Sequence, residues 1–141
     1  MAQVEVYCIT NQLYMGPAPT DWERVWKFFD VVITLIRQPV SVPEGKLQVV
    51  FPITDDENLP PSDELTELAV FVSKLVIHGR NVFIHCGAGF NRSGLVAALA
   101  YRELEGCTGA EALNVICDVR PLALCNPWFR KYLREVDEKC F

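Results

Sequence analysis

The stretch NVFIHCGAGFNRSGLVAALAYRELEG (81–106) constrains the fold more than any other. NVFIH (81–85) is an apolar run of the kind found in a strand buried on both faces, and LVAALAYRELEG (95–106) has helical spacing with Gly106 as its stop. Between them lies a turn carrying Gly87 and Gly89. A strand that passes through a glycine-bearing turn into a helix needs parallel neighbours and a covering layer, so the segment predicts an α/β fold.

The rest of the chain reads in the same alternation. VEVYCIT (4–10) and QLYMG (12–16) predict short strands, followed by a proline turn at 17–19. Thr20 with Glu23 has the capping-box spacing for a helix, DWERVWKFF, with Trp22, Val25, Trp26 and Phe29 on one face. VVITLI (31–36) predicts a buried strand, and KLQVVF another beyond the loop at 39–45. PITDDENLPP (52–61) is a polar loop closed by two prolines. Ser62 is then placed to cap a helix whose Leu65, Leu68, Ala69, Val72, Leu75 and Val76 recur at helical spacing, with His78 and Gly79 as its end. Thr108 with Glu111 makes a second capping box, and Asn126 followed by Pro127 opens a last helix. The expected architecture is a single domain over 1–141, with a central, mostly parallel twisted sheet flanked by helices on both faces. No repeat or linker interrupts it.

Composition narrows the chemistry. Half of the 141 residues are hydrophobic, enough for a substantial core. Cys8, Cys86, Cys107, Cys117, Cys125 and Cys140 lie at scattered spacings without a C-x-x-C pair or a Cys/His cluster, which argues against a disulfide framework and a zinc site. MAQVEVYCIT lacks a basic segment followed by an apolar one, no stretch approaches a membrane span, and the terminal EKCF has Glu138 where a prenylation signal needs Cys. A reduced, cytoplasmic protein without membrane attachment is expected. A net charge of −5 disfavours nucleic acid as partner.

The turn itself suggests a site for a small anion. Backbone N–H groups and a helix N-terminus converge there, and Gly87 and Gly89 permit close approach. The Lys of a nucleotide-binding P-loop is missing, and G-x-G-x-x-G does not match. Instead a Cys stands at the start of the turn and an Arg at its end. Amides, helix dipole and guanidinium together favour a thiolate at Cys86, which is a nucleophile, while Arg92 can grip two phosphoryl oxygens at once.

HCGAGFNRSG resembles the His-Cys-x5-Arg-Ser/Thr signature of the protein tyrosine phosphatase superfamily and, more narrowly, the compact dual-specificity phosphatases. ITNQLYMG is similar to the opening I-x-x-x-L-Y-x-G segment of that family, NPWFRKYL to its closing helix, and the central position of the loop differs from that in low-molecular-weight phosphatases. The resemblance implies that Cys86 forms a phosphocysteine, that Arg92 binds the phosphoryl group, and that Ser93 assists the thiolate. Gly87, Ala88, Gly89, Phe90 and Asn91 would surround the substrate, with His85 ordering the loop. It also implies an acid on an upstream loop. P-I-T-D puts Asp55 at that place by similarity to the phosphatases of regenerating liver, with Asp56 as the neighbouring alternative. No cofactor or metal is implied.

The expected substrate is a phosphorylated protein or small phosphomonoester, bound by a monomer. Phosphotyrosine is favoured, and the short chain favours a shallow pocket open to phosphoserine and phosphothreonine. Alternatives on the same fold are an RNA 5′-triphosphatase, echoed by GFNRSG but with Ala88 where those enzymes carry His, and a phosphoinositide phosphatase, whose loop is usually basic. A catalytically inactive phosphate-binding module is a third. Outside the loop, Cys8, Cys107, Cys117 and Cys125 read as small buried hydrophobes. His78 reads as a surface helix end, Asn91 as tolerant of unusual backbone angles, Arg120 as structural or surface, and Trp22, Trp26 and Trp128 as core.

Overall fold

The computed structural model describes residues 4–139, and Cys140 lies outside the described residues. Its strands are β1 (Tyr7–Thr10), β2 (Leu13–Gly16), β3 (Val31–Thr34), β4 (Leu47–Val50) and β5 (Val82–His85). They form one sheet in the order β1-β2-β5-β3-β4. β1 runs antiparallel to β2, and every other pairing is parallel. The helices are α1 (Trp22–Phe28), α2 (Ser62–Ile77), α3 (Arg92–Glu105), α4 (Gly109–Val119) and α5 (Pro127–Glu135), followed by a 3₁₀ turn (Val136–Lys139).

Alternation along the strands divides the core in two. Val31, Ile33, Val82 and Ile84 face the layer of α2 to α5, where Leu65, Leu95, Ile116 and Phe129 are buried. Val32 and Phe83 face the other way, onto Val25, Trp26 and Phe29 of α1 and its C-terminal cap. β5 is therefore buried at every position. It is central in the sheet, and its C-terminal end opens where an α/β sheet ordinarily places a ligand.

Several local expectations shift. Asp21, not Thr20, caps α1, accepting the Arg24 N–H at 3.0 Å. Ser62 does not cap α2, which starts after Pro61 without a side-chain cap. Ser62 is instead the first helical residue, and its hydroxyl meets Tyr132 at 2.8 Å. The Thr108/Glu111 capping box and the Asn126 cap form as expected. Trp128 is 47% exposed, because Phe129 and Leu133 take the inward face of α5. Cys8 and Cys125 are exposed, while Cys107 and Cys117 are partly buried.

Candidate active site

Cys86 directly follows β5 and is 2% exposed. The loop 86–91 is braced from below by the end of β2. Cys86 N–H donates to Gly16 O at 3.4 Å and Ala18 N–H to Gly87 O at 3.0 Å. Gly89 has φ of +75°, and a Cβ there would lie 2.4 Å from Pro17 N, so only glycine fits without displacing that turn. On the far side, Leu124 N–H donates to Phe90 O at 3.0 Å. Gly87 and Ala88 are exposed at the mouth.

Two groups meet the sulfur. Gly89 N–H donates to Cys86 Sγ at 3.2 Å, and Ser93 Oγ lies 3.4 Å away as the acceptor of the thiol. Ser93 is fully buried in the first turn of α3, which begins at Arg92, earlier than its apolar periodicity indicates. Arg92 consequently sits where the helix presents unpaired N–H groups. Its Nη1 donates to Ile53 O at 3.4 Å, whereas its Nε is buried with no partner among the described residues. A buried guanidinium N–H left open costs free energy unless a ligand answers it.

His85 is fully buried between the edge of Trp22 and the face of Phe83, with centroids at 5.4 and 5.7 Å. The Cys86 carbonyl can only accept, so Nδ1 carries the proton toward it at 3.3 Å. Nε2 then receives the Thr34 hydroxyl at 2.9 Å, and Thr34 Oγ1 receives Gln48 Nε2 at 2.8 Å. Burial pushes the imidazole pKa down to about 4, so the ring is neutral. This chain ties the base of the Cys86 loop to β3 and β4.

The two aspartates diverge. Asp55 accepts Asn91 Nδ2 at 3.0 Å and Asn126 Nδ2 at 2.8 Å, one on each carboxylate oxygen. Asp56 accepts Asn58 N–H at 2.8 Å, and that backbone bond holds its carboxyl below the usual range. Asn91 has φ of −97°, so tolerance of unusual backbone angles is not its role. It leaves α3 without a side-chain cap and reaches the upstream loop instead.

Arg120 is 8% exposed, hence not a surface residue. Its guanidinium stacks over Phe90 at 3.9 Å and Tyr7 at 4.3 Å, and Glu5 lies 4.0 Å off. It thus wedges the Cys86 loop from behind. His78 is exposed at the end of α2 as expected. Sequence reasoning missed the contacts of Asn91, Asn126 and Arg120 with the site, because each depends on a neighbour distant in the chain. Beside Arg92, a groove of about 630 Å³ runs along Ile53, Thr54 and Leu59 to Arg37.

A model of the family described as dual specificity phosphatase, catalytic domain, matches residues 14–139. The human dual specificity protein phosphatase 15 is 26% identical over 104 residues, 74% of this chain but 35% of that protein. The vaccinia virus (strain Western Reserve) dual specificity protein phosphatase OPG106 is 27% identical over 139 residues, covering 90% of this chain and 79% of its own. Among solved structures, Tk-PTP in the active form superposes with a TM-score of 0.82 at 27% identity, covering 95% of this chain and 97% of that one.

Proposed function

Since the chain belongs to the dual specificity phosphatase catalytic-domain family, we propose that it hydrolyses phosphotyrosine monoesters of proteins, and phosphoserine and phosphothreonine monoesters as a shallow pocket allows. The observation that carries this reading is the pairing, within one loop, of Cys86 Sγ against Gly89 N–H and Ser93 with a buried Arg92 Nε that lacks a partner.

In the first step the Cys86 thiolate attacks phosphorus. The S–P bond forms, the bond from phosphorus to the ester oxygen breaks, and protonated Asp55 gives its proton to that departing oxygen. Arg92 and the loop amides hold the equatorial oxygens throughout, the positions where charge is spread in the transition state. In the second step Asp55, now a carboxylate, takes a proton from water as that water attacks phosphorus. The S–P bond breaks, and the electron pair returns to sulfur. Ser93, an acceptor of the thiol in the resting protein, can turn its O–H toward the released thiolate. Gly87, Ala88, Gly89, Phe90 and Asn91 form the cradle, and His85 and Asp56 stay outside the chemistry.

The chain spans only 35–44% of the mammalian relatives, and we extend to residues 1–141 the reading of one catalytic domain that acts as a monomer in the cytoplasm. Free thiols at the five described cysteines and the net charge of −5 support a reduced setting and a substrate other than nucleic acid. No helix among the described residues is long and apolar enough to cross a membrane. The test is turnover of p-nitrophenyl phosphate without added metal, beside Cys86→Ser and Arg92→Ala. Vanadate-sensitive turnover lost in both variants is expected, and its absence in the wild type would overturn the proposal. Phosphopeptides, an inositol phosphate and 5′-triphosphorylated RNA assayed in parallel identify the substrate class.

A further inference from the structure

We infer that Asn91 and Asn126 are positioning residues that hold the acid in place before substrate arrives, an inference that rests on the reading of Asp55 as that acid. Asn126 caps α5, and its Oδ1 accepts the N–H groups of Trp128 at 2.9 Å and Phe129 at 3.1 Å. That commitment orients the amide. Its Nδ2 must face the opposite way, where it donates to Asp55 Oδ1 at 2.8 Å and to the Asp56 carbonyl at 3.3 Å.

Asn91 is oriented by the same logic. Its Oδ1 accepts Asn126 N–H at 3.0 Å, with the Cys125 thiol at 3.5 Å, so its Nδ2 is turned to Asp55 Oδ2 at 3.0 Å. Three side chains from the upstream loop, the Cys86 loop and the start of α5 thus close a ring in which each carboxylate oxygen has its own amide donor. Asp55 is solvent-exposed, and an exposed aspartate on a polar loop would otherwise be spread over several rotamers. Asn91 is covalently next to Arg92, so the ring also sets how far the acid stands from the phosphoryl site. The bond to the Asp56 carbonyl pins the loop backbone itself.

Acid placement matters most when the departing oxygen is a poor leaving group, which separates positioning from general damage. The experiment measures kcat for aryl phosphates graded by leaving-group pKa, from p-nitrophenyl phosphate to a phosphotyrosine peptide, in the wild type, Asn91→Ala, Asn126→Ser, Asn126→Asp and Asp55→Ala. Asn126→Ser keeps a cap acceptor but is too short to reach Asp55. Asn126→Asp keeps the cap and presents a carboxylate to a carboxylate.

The expected result is a loss that grows along the series, small for p-nitrophenyl phosphate and roughly ten- to a hundredfold for the peptide, with Asn126→Asp worst. Adding Asn126→Ser to Asp55→Ala should cost nothing further. A loss of equal size for every leaving group, or none, in the Asn variants while Asp55→Ala shows a steep series overturns the positioning role alone. A flat series in Asp55→Ala removes Asp55 as the acid, and the inference falls with it.

Discussion

The Asp56 carboxylate accepts the Asn58 N–H at 2.8 Å and so folds back onto its own loop, away from the ring that holds Asp55. On the proposed reading the two neighbours have different duties. Asp55→Ala should lower kcat on a phosphotyrosine peptide by roughly 10²–10⁴-fold, the usual yield of general acid–base catalysis, whereas Asp56→Ala should stay within a few-fold of wild type. Steady-state kinetics on the peptide checks this, and the reverse order would make Asp56 the acid.

Arg92 carries a buried Nε without a partner among the described residues, beside an Nη1 bonded to Ile53 O. Lysine supplies the charge but not the planar fork. Arg92→Lys should lose about 10²–10³-fold in kcat/KM, comparable to removal of one oxyanion donor, with the melting temperature nearly unchanged. Restoration of activity by the lysine would show that charge alone suffices.

Gly89 has no room for a methyl group, since a Cβ would meet Pro17 N at 2.4 Å, Gly16 C at 2.5 Å and Arg120 Nη1 at 2.9 Å. Gly89→Ala must push the loop off the end of β2 and strain a positive φ, at a cost of roughly 1–3 kcal/mol. Because Gly89 N–H also faces Cys86 Sγ, vanadate affinity should fall together with stability. Calorimetry and vanadate titration read both effects.

Burial pushes the His85 pKa down to about 4 from an ordinary value near 6.5. Between those values the unfolded chain binds a proton that the native ring refuses. Stability from this residue is complete above about pH 6.5, falls as the pH drops through that window, and stops falling below about 4, a loss on the order of 3 kcal/mol. Denaturant titrations from pH 7 to 4 should show the slope, and His85→Gln should flatten it.

Arg120 stacks on both Phe90 and Tyr7, and its long stem fills the space behind the Cys86 loop. Arg120→Ala should destabilise by roughly 2–4 kcal/mol through lost packing and cation–π contact, and Arg120→Lys should recover only part of it. Thermal unfolding tests the order wild type, Lys, Ala.

Much of this was legible in the chain because the signals are local. The run VVIT is buried at every position since β3 lies inside the sheet, and Asn126-Pro127 caps and opens α5 through bonds two and three residues away. Caps one residue apart compete almost equally, which is why Asp21 displaced Thr20, whereas Ser62 entered its helix and its hydroxyl met Tyr132 from a distant helix. Trp128 and Cys125 could not be read correctly, because which side of α5 and its preceding loop meets the core depends on the elements packed against it.

The sequence by itself determined the alternation of strands and helices, the buried central strand, and the His-Cys-x5-Arg turn, since hydrophobic period, glycine placement and capping chemistry act over a few residues. Only the tertiary structure decided what surrounds that turn. Ring closure among Asp55, Asn91 and Asn126 and the stacking of Arg120 on Phe90 join segments far apart in the chain. Such contacts exist only after the sheet order has brought those loops to one edge, and no local pattern encodes that order.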